Sequence, residues 1–272
     1  MRFLGIVVFA VLMLTAASGF AETYSFGAIP QFEPRKLASI WLPILKELNR
    51  RTGHTFVMTG SSNIPVFDAS IDLGKLDFAY MNPYQVLQTT KNQKYIPLVR
   101  DGSRELQGIL VVRKDSPLTR PQLLDGKKVA FPSPNAFGAS ILVQAELQGK
   151  FKIKIRPLYV QTHSSVYLSV ILGEAAAGGG VLSTLNKQKP EVINALKIIY
   201  KTRLAPPHAV MANSRVLREH RDQVRRAFLE MSKTEEGRRL LEKIPMRDAV
   251  AASAADYQPM ASWGLEKIYI GH

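Results

Sequence analysis

The sequence contains no cysteine, and this absence excludes several classes of protein at once. Disulfide frameworks, cysteine-based zinc sites, thiol catalysis and a lipid anchor on an N-terminal cysteine all require a thiol. Acidic residues are also scarce, with 22 Asp and Glu against 36 Lys and Arg in 272 residues, for a formal net charge of +14. Such a charge favours an anionic partner, but it does not choose between nucleic acid, membrane and small anions.

Motifs of the common catalytic centres are missing as well. The sequence has no Gly-x-Ser-x-Gly nucleophile elbow, no His-Glu-x-x-His zinc motif and no phosphate-binding P-loop. Its five histidines are scattered and form no spaced pair of metal ligands. We therefore expect a protein that is not an enzyme and that carries neither a metal nor a cofactor.

Long apolar runs are absent beyond the N-terminus, where residues 3–14 are apolar apart from one glycine. This run is short for a membrane span, and it leads to Gly19 and Ala21, which are typical of a cleavage site. The pattern predicts a signal peptide over residues 1–21, cleaved before Glu22, and therefore a soluble periplasmic protein. An uncleaved membrane anchor is the alternative.

The remaining length is enough for one to two domains, and its pattern predicts an α/β fold. One apolar stripe recurs at helical spacing between two predicted strands, at Leu37, Ile40, Trp41, Ile44, Leu45 and Leu48. Strand-helix alternation continues to residue 80 and resumes after residue 113. We expect two lobes, each a mostly parallel sheet flanked by helices, with residues 214–272 mostly helical and covering a sheet.

Three predicted junctions between a strand and a helix carry polar residues that could bind a small anion. The candidate ligand-binding residues are Tyr80, Asn82 and Tyr84 at the first junction, Asn135 and Ala136 at the second, and His163, Ser164 and Ser165 at the third. Ligands of open α/β sheets bind beyond the carboxyl ends of strands, where free backbone N–H groups at helix starts attract anions. The alternative is that these residues only cap helices or lie at the surface.

A helix with five arginines between residues 215 and 226 raises the possibility of nucleic acid binding. A solvated helix face explains these arginines better, because apolar residues alternate with them at helical spacing. Export also argues against nucleic acid as a partner.

Several short motifs occur in an order that resembles a known family. They are Gly-x-x-Pro at residues 27–30, Gly-Lys-Leu-Asp-Phe-Ala and Asn-Pro-Tyr within 74–84, Val-Val-Arg-Lys-Asp-Ser-Pro-Leu at 111–118, Leu-Leu-Asp-Gly-Lys-Lys-Val-Ala-Phe at 123–131, Thr-His-Ser-Ser-Val at 162–166, and a glycine-rich strand after 173. Over nearly its whole mature length the chain resembles the PhnD-like phosphate-, phosphite- and phosphonate-binding proteins of ABC importers. These are type 2 periplasmic binding proteins.

The resemblance implies two lobes joined by two hinge strands, with the ligand held between them. Lobe 1 would comprise residues 22–112 and 205–272, and lobe 2 residues 113–204. Family ligand contacts map onto Tyr84 near Asn82, onto His163, and onto the turn at residues 135–137.

Three departures from the family pattern bear on the ligand. Residues 134–138 read Pro-Asn-Ala-Phe-Gly where relatives carry a serine-rich loop, a common tyrosine is Phe67, and an expected acidic residue is Ala176. Without that carboxylate, an aminoalkylphosphonate is a poor candidate ligand.

The favoured hypothesis is a monomeric solute-binding protein that delivers a small oxyanion to an ABC permease. The alternative is a sensor subunit that signals to a membrane histidine kinase or a similar receptor. A periplasmic hydrolase is the least favoured reading, because the sequence names no nucleophile and base.

Overall fold

The structure is a computed structural model that describes residues 21–270. The predicted signal peptide thus lies outside the described residues, except for Ala21. The strands are β1 (Thr23–Ala28), β2 (Thr55–Thr59), β3 (Phe78–Met81), β4 (Tyr95–Asp101), β5 (Leu106–Arg113), β6 (Lys128–Phe131), β7 (Arg156–Tyr159), β8 (Ala177–Val181), β9 (Leu196–Ala205), β10 (Ala209–Asn213) and β11 (Ala249–Ala251). The α-helices are α1 (Pro34–Thr52), α2 (Ile64–Asp72), α3 (Pro83–Lys91), α4 (Leu142–Gly149), α5 (His163–Ile171), α6 (Leu182–Leu185), α7 (Pro190–Asn194), α8 (Arg218–Met231) and α9 (Glu235–Leu241).

Helix α1 shows how local pattern determines an element. All six residues of its predicted apolar stripe are buried, and Pro34 occupies the first turn, where a backbone N–H has no partner to lose. Gly53 ends the helix in the left-handed conformation, with φ of 75°, and its N–H donates to the Asn49 carbonyl at 2.9 Å. The helix therefore begins and ends where its sequence signals lie.

The strands form two sheets, in the spatial orders β11-β4-β10-β3-β1-β2 and β7-β6-β8-β5-β9. Both sheets are mixed and not mostly parallel as predicted. β1 runs parallel to β2 and β3, and β6 runs parallel to β7 and β8, whereas β5, β10 and β11 pair antiparallel with their neighbours. β5 and β10 each enter a sheet directly from the other sheet, without the helical crossover that parallel pairing requires.

Strand pairing also corrects the predicted limit between the lobes. β5 is bonded to β8 and β9, so it belongs to the second sheet, whereas the predicted limit after Val112 placed most of it with the first. The chain leaves the first sheet at residues 102–105 and returns at 206–208. We call residues 21–105 and 206–270 lobe 1, and residues 106–205 lobe 2.

The C-terminal part is less helical than predicted. Helices α8 and α9 do pack against α1 beside the first sheet, but β11 pairs with β4, and residues 252–270 contain only short 3-10 turns. Within residues 21–270, no helix has the length and apolar character to cross a bilayer.

Candidate functional site

Two adjacent cavities lie between the lobes. A central cavity of about 20 Å³ is lined from both lobes, and a larger cleft of about 520 Å³ opens beside it. Four residues line both spaces, namely Gln31, Leu106, Val181 and His208. The central cavity has room for about one water molecule. A larger ligand would therefore have to extend into the cleft or move the lobes apart.

Asn82 lines the central cavity from lobe 1, at the junction of β3 and α3. Its Oδ1 accepts from the Gln85 N–H at 2.9 Å, and the Gln85 side chain accepts from the Asn82 N–H at 2.8 Å. This reciprocal capping box fixes the amide. Its Nδ2 lies 3.5 Å from the Asn135 carbonyl of lobe 2, so the remaining donor is directed across the gap between the lobes.

Residues 136–139 line the same cavity from lobe 2, at the start of a π-helical turn, Phe137–Ile141. N–H groups in the first turn of a helix have no acceptor within it, so they are available to an anion. Two glycines let this turn approach the sheet closely. A Cβ at Gly108 would lie 2.3 Å from the Gly138 carbonyl oxygen, and one at Gly179 would lie 2.2 Å from that of Ala139.

His163, the first residue of α5, also lines the central cavity. The starts of α3, of the π-helical turn and of α5 therefore lie together at this cavity. Its Nδ1 lies 3.3 Å from the Thr184 hydroxyl, which donates to the Val181 carbonyl at 2.8 Å. Burial lowers the pKa of His163 to about 4. The imidazole is therefore neutral at ordinary pH and acts as a dipole.

Gln31 and His208 are cavity residues that the sequence did not reveal. Gln31 Nε2 lies 3.0 Å from His208 Nε2, and the Tyr80 ring stacks on His208 with centroids 5.2 Å apart. Burial, and then the charge of His163, lower the pKa of His208 to about 3. Gln31 follows β1 and His208 precedes β10, and 177 residues separate the two in the sequence. Their position near strand ends was therefore the only sequence signal for them.

The eight predicted ligand-binding residues thus divide into two groups. Asn82, Ala136 and His163 line the central cavity, and Tyr80 lines the larger cleft. Tyr84, Asn135, Ser164 and Ser165 line neither of these two cavities, although all four lie within the described residues.

Local geometry explains where two of these four side chains go. Tyr84 is buried against Tyr269, with ring centroids 5.0 Å apart. Asn135 joins the lobes: its Nδ2 donates to Asp68 Oδ2 of lobe 1 at 3.0 Å and to the Ile270 carbonyl at 2.9 Å, and its Oδ1 accepts from the Ile270 N–H at 3.1 Å. Asn135 is therefore a bridge between lobes, with its side chain already satisfied.

The two serines leave the cavity because successive residues of a helix rotate by about 100°. The exposed Ser164 donates to Gln188 Oε1 at 3.2 Å, and the Ser165 hydroxyl lies 2.8 Å from that of Thr162. The Thr162 side chain also accepts from the Ser165 N–H at 3.1 Å. These residues cap and position α5.

The central cavity is lined by neutral groups alone, among the residues that the structure describes. Its polar lining consists of amides, imidazoles and backbone, which hold an anion by oriented dipoles. Within residues 21–270, no three His, Asp or Glu side chains come close enough together to hold a metal ion.

Comparison with known proteins gives a family match over most of the chain. A family model described as "ABC transporter, phosphonate, periplasmic substrate-binding protein" matches residues 26–257. The phosphate-import protein PhnD of Mycolicibacterium smegmatis is 24% identical over 181 residues, which span 60% of this chain and 56% of that protein.

Solved structures of low sequence identity share the fold. A binding protein component of an ABC phosphonate transporter from Pseudomonas aeruginosa superposes with a TM-score of 0.82 at 17% identity, over 91% of this chain and 87% of that one. PhnD1 from Prochlorococcus marinus, in complex with methylphosphonate, gives a TM-score of 0.80 at 15% identity, over 91% and 99%. The two-lobed α/β fold expected of a type 2 periplasmic binding protein is thus confirmed.

Proposed function

Since the chain belongs to the family of periplasmic substrate-binding proteins of phosphonate ABC transporters, we propose that it captures a small oxyanion of the phosphonate, phosphite or phosphate class between its lobes. The observation that supports this most is the meeting of Asn82, the turn at residues 136–139 and His163 at one cavity. Each of these stands at the start of a helix or helical turn, where backbone dipoles favour negative charge.

The division of donors between the lobes supports capture by closure. Asn82 belongs to lobe 1, while His163 and the turn belong to lobe 2, so an anion can reach all of them only when the lobes are together. A ligand that binds the closed arrangement more tightly shifts the protein towards it. The closed protein would then present the ligand to an ABC permease in the inner membrane.

The lining of the central cavity disfavours an amino group on the part of the ligand it holds. Within the described residues no carboxylate lines it. Ala176, where the family pattern led us to expect an acidic residue, lies outside both cavities, before the start of β8, whereas the cavity residue Val181 ends that strand. PhnD1 from Prochlorococcus marinus, which shares this fold, has been solved in complex with methylphosphonate, a compound without an amino group. We propose that the oxyanion head carries no adjacent ammonium group.

The setting of the protein follows from its family. The family is periplasmic and consists of substrate-binding transport proteins, and it does not favour the alternative of a sensor subunit. We propose in addition that residues 1–21 are a cleaved signal peptide and that the mature protein works as a monomer. No catalytic step forms part of this function.

Calorimetric titration with methylphosphonate, phosphite and phosphate tests the proposal. Asn82→Asp keeps the oxygen that caps α3 but replaces the Nδ2 donor with a carboxylate oxygen. It should lower affinity at least about tenfold, because a donor is lost and a repulsive charge is gained. His163→Ala should also weaken binding, by about tenfold.

Two matched controls accompany these variants. Asn92→Asp makes the same change at an exposed residue that lines neither cavity, where the side-chain oxygen accepts from the Lys94 N–H, and Tyr84→Phe removes a hydroxyl that does not line them. Both should leave affinity within about twofold. Absence of binding by all three oxyanions, or full affinity in Asn82→Asp, would refute the proposal.

A further inference from the structure

The larger cleft is much bigger than a simple oxyanion needs. Its 520 Å³ lies within the range of pockets that hold whole small molecules, about 300–1,000 Å³. It shares Gln31, Leu106, Val181 and His208 with the central cavity, so a ligand whose head lies at the central cavity has the cleft beside it. A one-carbon phosphonate would leave most of this space to water.

The walls of the cleft are largely apolar. They include Phe32, Leu106, Leu182, Leu204, Pro207 and Pro245, contributed by both lobes and by the crossing segments. A carbon chain that leaves the central cavity would lie against these side chains and lose contact with water.

Three cationic groups line the cleft or lie beside its lining. Arg104 and Lys187 line it, and the Lys36 ammonium lies 4.4 Å from the centre of the Phe32 ring. Among residues 21–270, none of these three cations forms an ion pair within 4.0 Å. The Lys187 ammonium donates to the Lys243 carbonyl at 3.2 Å, which leaves its charge without a counter-ion.

The charges around Lys187 also favour a nearby anionic group. Exclusion of water, and then the positive charges of Lys36 and Arg104, lower the pKa of Lys187 below its ordinary value. The cleft lining contains one carboxylate, that of Glu105, and it is not among the groups that shift this pKa. An anionic group placed near Lys187 would relieve the repulsion between like charges.

We propose that the natural ligand has two anionic ends. Its oxyanion head lies at the central cavity, a short carbon chain lies against the apolar walls, and a carboxylate or second phosphoryl group lies near Arg104 and Lys187. This inference rests on the proposed function and specifies the substituent that the transported phosphonate carries.

Three compounds with one linker test the inference in calorimetric titrations at physiological salt. Propylphosphonate, 3-phosphonopropionate and 2-aminoethylphosphonate share a two-carbon linker and end in a methyl, a carboxylate and an ammonium group. The carboxylate compound should bind at least about tenfold more tightly than the methyl compound, and the ammonium compound more weakly than either.

Charge-removing variants locate the second site. Arg104→Gln and Lys187→Gln should each reduce the preference for carboxylate over methyl, and the double variant should reduce it to about threefold or less. Lys46→Gln removes the same charge from an exposed position of α1 outside the cleft lining, and it should keep the preference.

The outcomes separate the two proposals. Equal affinity for the carboxylate and methyl compounds, tighter binding of the ammonium compound, or an unchanged preference in the double variant would overturn the second anionic site and leave the proposed function standing. Failure of every phosphonate and of phosphate to bind would overturn both.

Discussion

The two lobes have the same arrangement of helix, turn and strand at the central cavity. Helices α2 and α5 each have nine residues, and each begins at a side chain, Asn63 or Thr162, that accepts a backbone N–H three positions later. Each is followed by a leucine and then by a left-handed glycine, Gly74 with φ of 65° and Gly173 with φ of 77°. A strand of the local sheet follows in both lobes.

We call this shared arrangement of helix, turn and strand the frame. The two lobes differ in the side chains that it carries. The first residue of each helix lines the cavity, and it is Ile64 in lobe 1 but His163 in lobe 2. At the end of the following strand the order is reversed, with Asn82 in lobe 1 and Val181 in lobe 2. At these two positions each lobe therefore contributes one polar and one apolar side chain, and neither lobe holds both Asn82 and His163. The frame sets where groups lie, and single residues set what they bind.

Glycine-to-alanine substitutions should give the largest difference in stability between the lobes. Gly179→Ala in β8 should lower the free energy of unfolding by about 3 kcal/mol, because the added carbon meets the backbone oxygen of Ala139 at 2.2 Å. In lobe 1, a Cβ at Gly27 would meet the end of the Leu76 side chain at 2.4 Å, which can rotate away. Gly27→Ala should therefore cost less than Gly179→Ala in urea unfolding.

A control substitution in lobe 2 introduces an alanine where the added carbon meets no other atom. A Cβ at Gly149, the last residue of α4, meets nothing within 4 Å, so Gly149→Ala should be neutral or stabilise by about 0.5–1 kcal/mol. If Gly179→Ala matched this control, the close approach of the donor turn to β8 would not be a structural requirement.

The two cavity histidines should make stability depend on pH. Burial lowers the pKa of His163 to about 4 and that of His208 to about 3, from an ordinary value of 6.5. Between those values and 6.5 the unfolded chain binds more protons than the folded one, so stability is complete above about pH 6.5 and falls as pH decreases. Each histidine contributes a slope of at most about 1.4 kcal/mol per pH unit.

Urea unfolding between pH 6.5 and 5 measures this slope with and without ligand. The variant with both His163→Asn and His208→Asn should show a flatter dependence. Bound oxyanion should also flatten it, because a neighbouring negative charge favours the protonated imidazole. An equal slope in the wild type and the double variant would show that these histidines are not held neutral in the folded protein.

The bridge between the lobes should have a smaller effect. Asn135→Ala removes the contacts to Asp68 and Ile270 and should lower stability by about 1–2 kcal/mol, because buried groups lose partners. The ligand-free protein should also become more open, which small-angle scattering would detect as a larger radius of gyration. Asn92→Ala removes a local loop contact within lobe 1 and should leave the radius unchanged.

Local features of the fold were predictable from the sequence, while features that depend on distant contacts were not. The stripe and the terminal signals of α1 are local, and the structure follows them. The direction of β5 and β10 depends on which sheet each strand enters, and no pattern within a strand carries that information. Mixed sheets and the shifted lobe limit follow from this.

The same distinction applies to the candidate site. Asn82 and His163 could be recognised because a polar residue between a strand and a helix has a local signature. Gln31 and His208 meet only after the chain has crossed between the lobes twice, and Asn135 is satisfied by Ile270 from the far end of the sequence. Ser164 and Ser165 differ from His163 only in their rotation around α5, which the junction pattern does not resolve.

The smallest predicted effects compare the caps of the two equivalent helices. Asn63→Ala and Thr162→Ala should each cost about 1 kcal/mol in urea unfolding, because each removes the side chain that accepts an N–H in the first helical turn. Their effects on oxyanion affinity should differ. Thr162 holds the turn that presents His163, whereas Asn63 holds the turn that presents Ile64, which offers no donor.

Thr162→Ala should therefore weaken binding by about three- to tenfold, while Asn63→Ala should leave affinity within about twofold. Thr162→Ser keeps the accepting hydroxyl and should restore both stability and affinity, which separates the loss of the cap from the loss of a methyl group. Equal losses of affinity in the two alanine variants would mean that the caps act only through the stability of their lobes. In that case the contrast between Ile64 and His163 would not determine where the anion is held.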